Sequence, residues 1–220
     1  MTMNRAIFLD RDGTLVHARH YPSRPADLIL YDGIGPRLRR LHEIGFKLFV
    51  VTNQSGIARG YFTEQDLTAM HDHLSRELET LGVSVDGFYH CPHHPDGVIE
   101  HLAITCDCRK PQPGMIRRAA RDHGIELEWS WFVGDILDDI QAGNTAGCAT
   151  VLVDLGTESR PTSPIRRPDF VARDTPHALD IILFVEGVGP ATSRDYWPSS
   201  WLINDDVAPL EPEVADAVAG

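Results

Sequence analysis

Long hydrophobic runs are missing from this 220-residue chain. Nothing in it approaches the length that a membrane span requires, and its start carries no long apolar core of the kind that directs secretion. Positive charge is also scarce: 20 Lys and Arg face 32 Asp and Glu, a formal net charge of -12. That balance argues against general affinity for nucleic acid or for an anionic membrane surface. It leaves room for a small anionic substrate, because local positive charge in a pocket can oppose the global field. Cysteine is limited to Cys91, Cys106, Cys108 and Cys148, which makes a disulfide framework a poor account of a chain of this size. No internal repeat is visible. The expectation is a monomeric cytoplasmic protein whose partner is a small metabolite rather than nucleic acid or membrane.

What is present is ordinary in bulk, with 42% hydrophobic and 24% charged residues, enough for one substantial core. Short apolar strands alternate with amphipathic helices. Ala6 to Leu9, Phe46 to Val51, Val85 to Tyr89, Trp131 to Val133 and Thr150 to Val153 read as buried strands. Helices are expected from Pro36 to Gly45, after an N-cap at Thr63, from Pro113 to near Gly124, after Asp135 to about Gly147, and from Thr175. This alternation predicts an α/β fold, a doubly wound, Rossmann-like parallel sheet. Residues 1–187 are expected to form one domain. Residues 188–220 read as a partly mobile extension, with Trp197 and Trp201 giving some packing onto the body.

The chemistry gathers where strands should end. Asp10 and Asp12 follow the first strand, one residue apart, and Gly13 lets the chain turn. On an extended backbone residues i and i+2 point the same way, so both carboxylates are expected to face one cavity while Arg11 faces elsewhere. Two like charges this close call for a cation, and a hard dication such as magnesium suits oxygen ligands. Asp10 can attack phosphorus as a nucleophile, and Asp12 can protonate the leaving oxygen and later activate water. Thr52 offers a hydroxyl to phosphate oxygens, and Lys110 a positive charge for the transition state. Asp135 completes the metal site with Asp10, and Asp138 or Asp139 stands one turn into the following helix.

A second constellation comprises Cys91-Pro92-His93 and Cys106-Asp107-Cys108, twelve residues apart. Three thiolates and an imidazole suit a closed, structural, tetrahedral zinc site. His90, His94 and His101 are nearby, and spacing alone leaves His94 open as the ligand in place of His93. The loop closed by this site runs into Arg109-Lys110-Pro111, which would aim both cations at the pocket.

These motifs resemble the haloacid dehalogenase (HAD) superfamily, and more narrowly its heptose-bisphosphate and histidinol-phosphate phosphatases. The resemblance rests on Phe8 to Leu15, Val51 to Gly60, Cys91 to Pro95 with Cys106 to Pro111, and Val133 to Asp135. It implies a magnesium-dependent phosphomonoesterase without a large cap domain, with a zinc-clipped loop at about residues 90–109. The implied substrate is a small sugar phosphate, a heptose bisphosphate foremost, with histidinol phosphate as the alternative. It assigns magnesium to Asp10, the Asp12 backbone carbonyl and Asp135. It places substrate contacts at Ala18, Arg19, His20, Tyr21, Asn53, Gln54, Ser55, Arg59 and Arg109. One departure matters: Ile136 stands where the resemblance implies a basic residue, and an isoleucine supplies no charge for a second phosphate. A catalytically silent protein of the same fold would lack Asp10 or Asp12, and this chain keeps both.

Overall fold

The computed structural model describes residues 4–189; Trp197, Trp201 and nearly all of the expected extension lie outside the described residues. Six strands are present: β1 (Arg5–Leu9), β2 (Phe46–Asn53), β3 (Gly87–Cys91), β4 (Trp131–Gly134), β5 (Ala149–Val153) and β6 (Phe170–Ala172). They alternate with α1 (Ile34–Glu43), α2 (Glu64–Thr80), α3 (Gly114–His123), α4 (Leu137–Ala146) and α5 (Thr175–Val185). Every strand pairing is parallel, in the order β3-β2-β1-β4-β5-β6. This is the expected doubly wound sheet.

The period of two along each strand divides the core. Ile7, Leu9, Leu48, Val50, Trp131 and Val133 face the layer that holds Leu38 and Leu41 of α1, Leu67 and Met70 of α2, and Leu179 and Ile182 of α5. Ala6, Phe8, Phe49, Val51 and Phe132 face the opposite layer, where α3 contributes Met115, Ile116 and Ala119. Both faces of β1 are therefore covered, which is why its sequence is an unbroken apolar run.

Local chemistry sets the helix boundaries. The Thr63 hydroxyl accepts the Asp66 N–H at 3.1 Å while the Asp66 carboxylate accepts the Thr63 N–H at 2.8 Å, a reciprocal cap that starts α2. Gly124, at φ 64°, ends α3 in the left-handed conformation that favours glycine. Some boundaries differ from expectation. Pro113 caps α3 rather than occupying its first turn, α1 begins at Ile34, and β3 is shifted two residues toward the cysteines. β6 was not anticipated. No helix among the described residues is long and apolar enough to cross a membrane.

The chain leaves β1 for β2 and β3 on one side, then crosses to β4, β5 and β6 on the other. A crevice opens at such a reversal, beyond the carboxyl ends of β1 and β4. Asp10 and Asp135 stand there.

Candidate active site

β1 ends at Leu9, and the Asp10 N–H donates to the Val133 carbonyl at 2.9 Å, carrying the β1–β4 pairing one residue further. The chain then turns at Gly13, whose φ is 93°. A Cβ at Gly13 would collide with the Asp135 carboxylate, so only glycine lets this loop close over the end of β4. The Thr14 hydroxyl donates to Asp135 Oδ1 at 3.2 Å. A Cβ at Gly134 would likewise collide with Asp139, the acid that α4 presents from its first turn.

Asp10, Asp135 and Asp139 are buried and bring carboxylate oxygens within 4.8 Å of one another. Lys110, 2% exposed, enters this cluster. Its ammonium pairs with Asp10, lies 2.6 Å from Asp139 Oδ1 and donates to the Val51 carbonyl at 2.9 Å. Burial and the neighbouring carboxylates hold Asp10 well above the usual carboxylate range, with Lys110 opposing them. Burial, then the Asp139 charge, pushes Asp135 up to about 7. Burial alone would lower Lys110, but Asp10 and Asp139 raise it. Three acids against one ammonium leave excess buried negative charge. An all-oxygen donor set with that excess fits a hard dication. Asp139 is thus the member of the Asp138/Asp139 pair that belongs here; Asp138 pairs with Arg166 at 3.0 Å.

One expectation is corrected. Asp12 is not a member of the three-acid cluster around Asp10, and Arg11 does not face elsewhere. The strand has already ended, so alternation no longer applies. The Arg11 side chain is fully buried and folds back, with Nε 3.1 Å and Nη2 2.8 Å from Asp12 Oδ2. Gln54 Nε2 donates to the same oxygen at 3.0 Å and to the Thr52 hydroxyl at 2.8 Å. Asp12 instead lines an adjacent cavity of about 290 Å³ with Arg19, His20, Tyr21, Pro22, Asn53, Gln54, Ser55 and Gly56. Most of the expected substrate contacts therefore share one cavity. Ala18, Arg59 and Arg109 are not among its walls.

Asn53 has a role that sequence reading missed. Its side chain accepts the Lys110 N–H at 3.0 Å and donates to the Lys110 carbonyl at 3.1 Å, tying the lysine loop to the end of β2. Arg59 Nη2 lies 3.2 Å from His94 Nε2, and Arg109 Nη1 lies 3.4 Å from the His93 carbonyl oxygen. Burial first, then the charges of Arg109 and Arg59, lowers the His94 pKa. The two arginines and His94 thus form a basic group beside the cysteine loop, so Lys110 enters the acid cluster while Arg109 stays outside it. Ile136 is half-buried at the N-cap of α4 and lines no part of the cavity.

The cysteine cluster is compact. Cys108 Sγ is 3.2 Å from both Cys91 Sγ and Cys106 Sγ, and His93 Nδ1 is 3.4 Å from Cys108 Sγ. The four donor atoms all lie within 4.8 Å of one another. That decides between the histidines: His93 joins the sulfurs, His94 is engaged by Arg59 and the Asp96 N–H, and His90 by Glu64. The cysteines are free thiols, and Cys148 is isolated, its pKa pushed up to about 12 by burial.

Comparison with known proteins places this geometry. The HAD-hydrolase-like family model matches residues 107–178, the stretch that carries Lys110, Asp135 and Asp139. D-glycero-beta-D-manno-heptose-1,7-bisphosphate 7-phosphatase of Yersinia pestis is 45% identical over 152 residues, covering 69% of this chain and 81% of that protein. This chain belongs to the HAD-like phosphatases, in their heptose-bisphosphate phosphatase family. The Escherichia coli K12 member of the family is 45% identical over 161 residues, 72% of this chain and 82% of that protein. The solved D,D-heptose 1,7-bisphosphate phosphatase from B. bronchiseptica, complexed with magnesium and phosphate, superposes with a TM-score of 0.70 at 34% identity, covering 83% of this chain and 99% of that one. A HAD-like phosphatase structure from Mesorhizobium loti gives 0.74 at 37% identity, covering 87% of this chain and 90% of that one.

Proposed function

We propose that this phosphatase removes the 7-phosphate of D-glycero-D-manno-heptose 1,7-bisphosphate through an aspartyl-phosphate on Asp10. One observation carries the reading: Asp10 is buried and paired with Lys110, while Asp12, two residues further on, lines a cavity of its own. A carboxylate oxygen of Asp10 attacks phosphorus while the bond from phosphorus to the sugar oxygen breaks. Asp12 gives its proton to that leaving oxygen. In the second step Asp12 takes a proton from water, the water oxygen bonds to phosphorus, and the bond to Asp10 breaks. Thr52 and Lys110 steady the nonbridging oxygens. Asp10, Asp135 and the Asp12 carbonyl are the proposed magnesium ligands. Magnesium supplies the screening that lets a carboxylate approach a phosphate. Cys91, His93, Cys106 and Cys108 would hold a structural zinc.

The sugar occupies the cavity walled by Arg19, His20, Tyr21, Asn53, Gln54 and Ser55. Arg59 and Arg109 take the second phosphate, with Ala18 as a neighbouring contact. Arg59 suits that role because its Nε is buried without a hydrogen-bond partner. Residues 1–187 act as the catalytic domain of a cytoplasmic monomer. Ile136 favours a second reading, histidinol-phosphate hydrolysis, because it adds no charge beside Asp135. A panel of the heptose bisphosphate, related sugar monophosphates and histidinol phosphate, assayed with magnesium, separates the two. We expect the bisphosphate to give the highest kcat/KM, and a preference of about tenfold or more for histidinol phosphate would overturn the assignment.

A further inference from the structure

Arg11 has no place in the chemistry above, yet it is the largest fully buried side chain among the described residues. Burying a guanidinium is costly unless it is paired and hydrogen-bonded. Here the pairing goes to one place. Nε and Nη2 both reach the Asp12 carboxylate, and the ion pair with Asp12 is the only one that Arg11 makes among the described residues. Nη1 is left buried without a hydrogen-bond partner. The buried His71 ring stacks on Phe88 at 4.4 Å between centroids, and its pKa is lowered to about 3 by burial first and by the Arg11 charge second. A neutral imidazole draws no charge away from the fork. From the cavity side, Gln54 adds a third donor to the same carboxylate.

Given the phosphatase reading on which this rests, we infer that Arg11 and Gln54 are positioning residues. They clamp the Asp12 carboxyl so that its proton meets the leaving oxygen as the bond to phosphorus breaks. Asp12 hangs from a turn rather than a strand, and both of its χ torsions are free unless something holds them. A rigid fork with two donors and an amide on the other side fix the carboxyl plane, as bidentate arginine geometry allows and a single ammonium does not. Because Arg11 does not line the cavity, this effect reaches substrate only through Asp12.

Leaving-group chemistry separates positioning from mere support. An alkoxide leaving group needs the proton from Asp12, whereas 2,4-dinitrophenolate departs without one. kcat/KM for a sugar phosphate and for 2,4-dinitrophenyl phosphate is measured with magnesium for the unaltered chain and for Arg11→Met, which keeps an unbranched stem but removes every donor. We expect a loss of about 100-fold or more on the sugar phosphate and less than about threefold on the dinitrophenyl ester. Equal losses on both, or no loss on either, would overturn the inference. Should Arg11→Met fail to fold, Arg11→Lys, which keeps the charge but loses the fork, must show the same split in the same direction, and its absence there is equally fatal. An unaltered chain inactive on both esters would contradict the phosphatase reading itself, and the clamp with it.

Discussion

Lys110 is one of only two lysines in the chain, and it is buried. Burial works against its charge, but two carboxylates outweigh that effect. The same balance leaves Asp10 and Asp135 short of positive charge. His71 shows the opposite case, a buried base kept neutral. Its pKa falls from 6.5 to about 3, by burial, then by Arg11 and His90. The folded state therefore binds fewer protons at this site than the unfolded chain. The stability this contributes is complete above pH 6.5 and is lost as pH falls toward 3. Between pH 6.5 and pH 4 the loss is about 3 kcal/mol. Thermal melts should show His71→Leu less sensitive to acid than the unaltered chain; parallel declines in Tm would show that His71 is not the group responsible. Asp10, Thr52 and Asp135 were legible because each follows an apolar run, and Lys110 because it leaves the cysteine loop. The Arg11 fork was not, since the turn that bends it back onto Asp12 lies beyond the strand on which the alternation argument depended. Nor was the choice of Asp139, which depends on helix phase against a neighbouring glycine.

At the scale of elements, the loop from β3 to α3 is gathered by cysteines near both ends, Cys91 at its start and Cys106 and Cys108 just before Lys110. Ile104 and Val98 on this loop are exposed, so hydrophobic packing alone holds it weakly. The Cys/His cluster then adds to the Asn53–Lys110 hydrogen bonds and to those from the Val98 and Ile99 N–H groups to the Ala58 carbonyl. Cys106→Ser is expected to lose bound zinc and to lower Tm by roughly 10 °C, with activity falling because Lys110 loses its placement. Metal analysis that finds no zinc in the native protein would end this account of the loop. Cysteine spacing alone pointed to the cluster, whereas His93 could be separated from His94 only by seeing which ring faces the sulfurs. β6 escaped sequence reading for a different reason. Phe170–Ala172 is three residues long and follows a Pro- and Arg-rich stretch, so neither alternation nor length announces it. Its Val171 pairs with Leu152 at the edge of the sheet.

For the whole molecule, the parallel sheet does two jobs with one set of residues. Alternating apolar side chains build a core on each face, and the strand ends that run out of that core place polar groups in a crevice. The net charge of -12 is not cancelled inside the acid cluster, where Lys110 meets three carboxylates and Arg11 is paired with Asp12; the remaining positive charge near it comes from Arg59 and Arg109 beside the cysteine loop. Those two arginines, together with a dication held by the acids, would supply the local attraction that an anionic substrate needs against the overall field. The central claim is that phosphorus becomes bonded to Asp10. Beryllium fluoride mimics a phosphoryl group on a carboxylate, so a crystal structure grown with magnesium and beryllium fluoride tests it directly. The account predicts beryllium bonded to a carboxylate oxygen of Asp10, with Asp12 facing the cavity beside it. Beryllium fluoride bound elsewhere, with Asp10 still engaged only by Lys110, would contradict it.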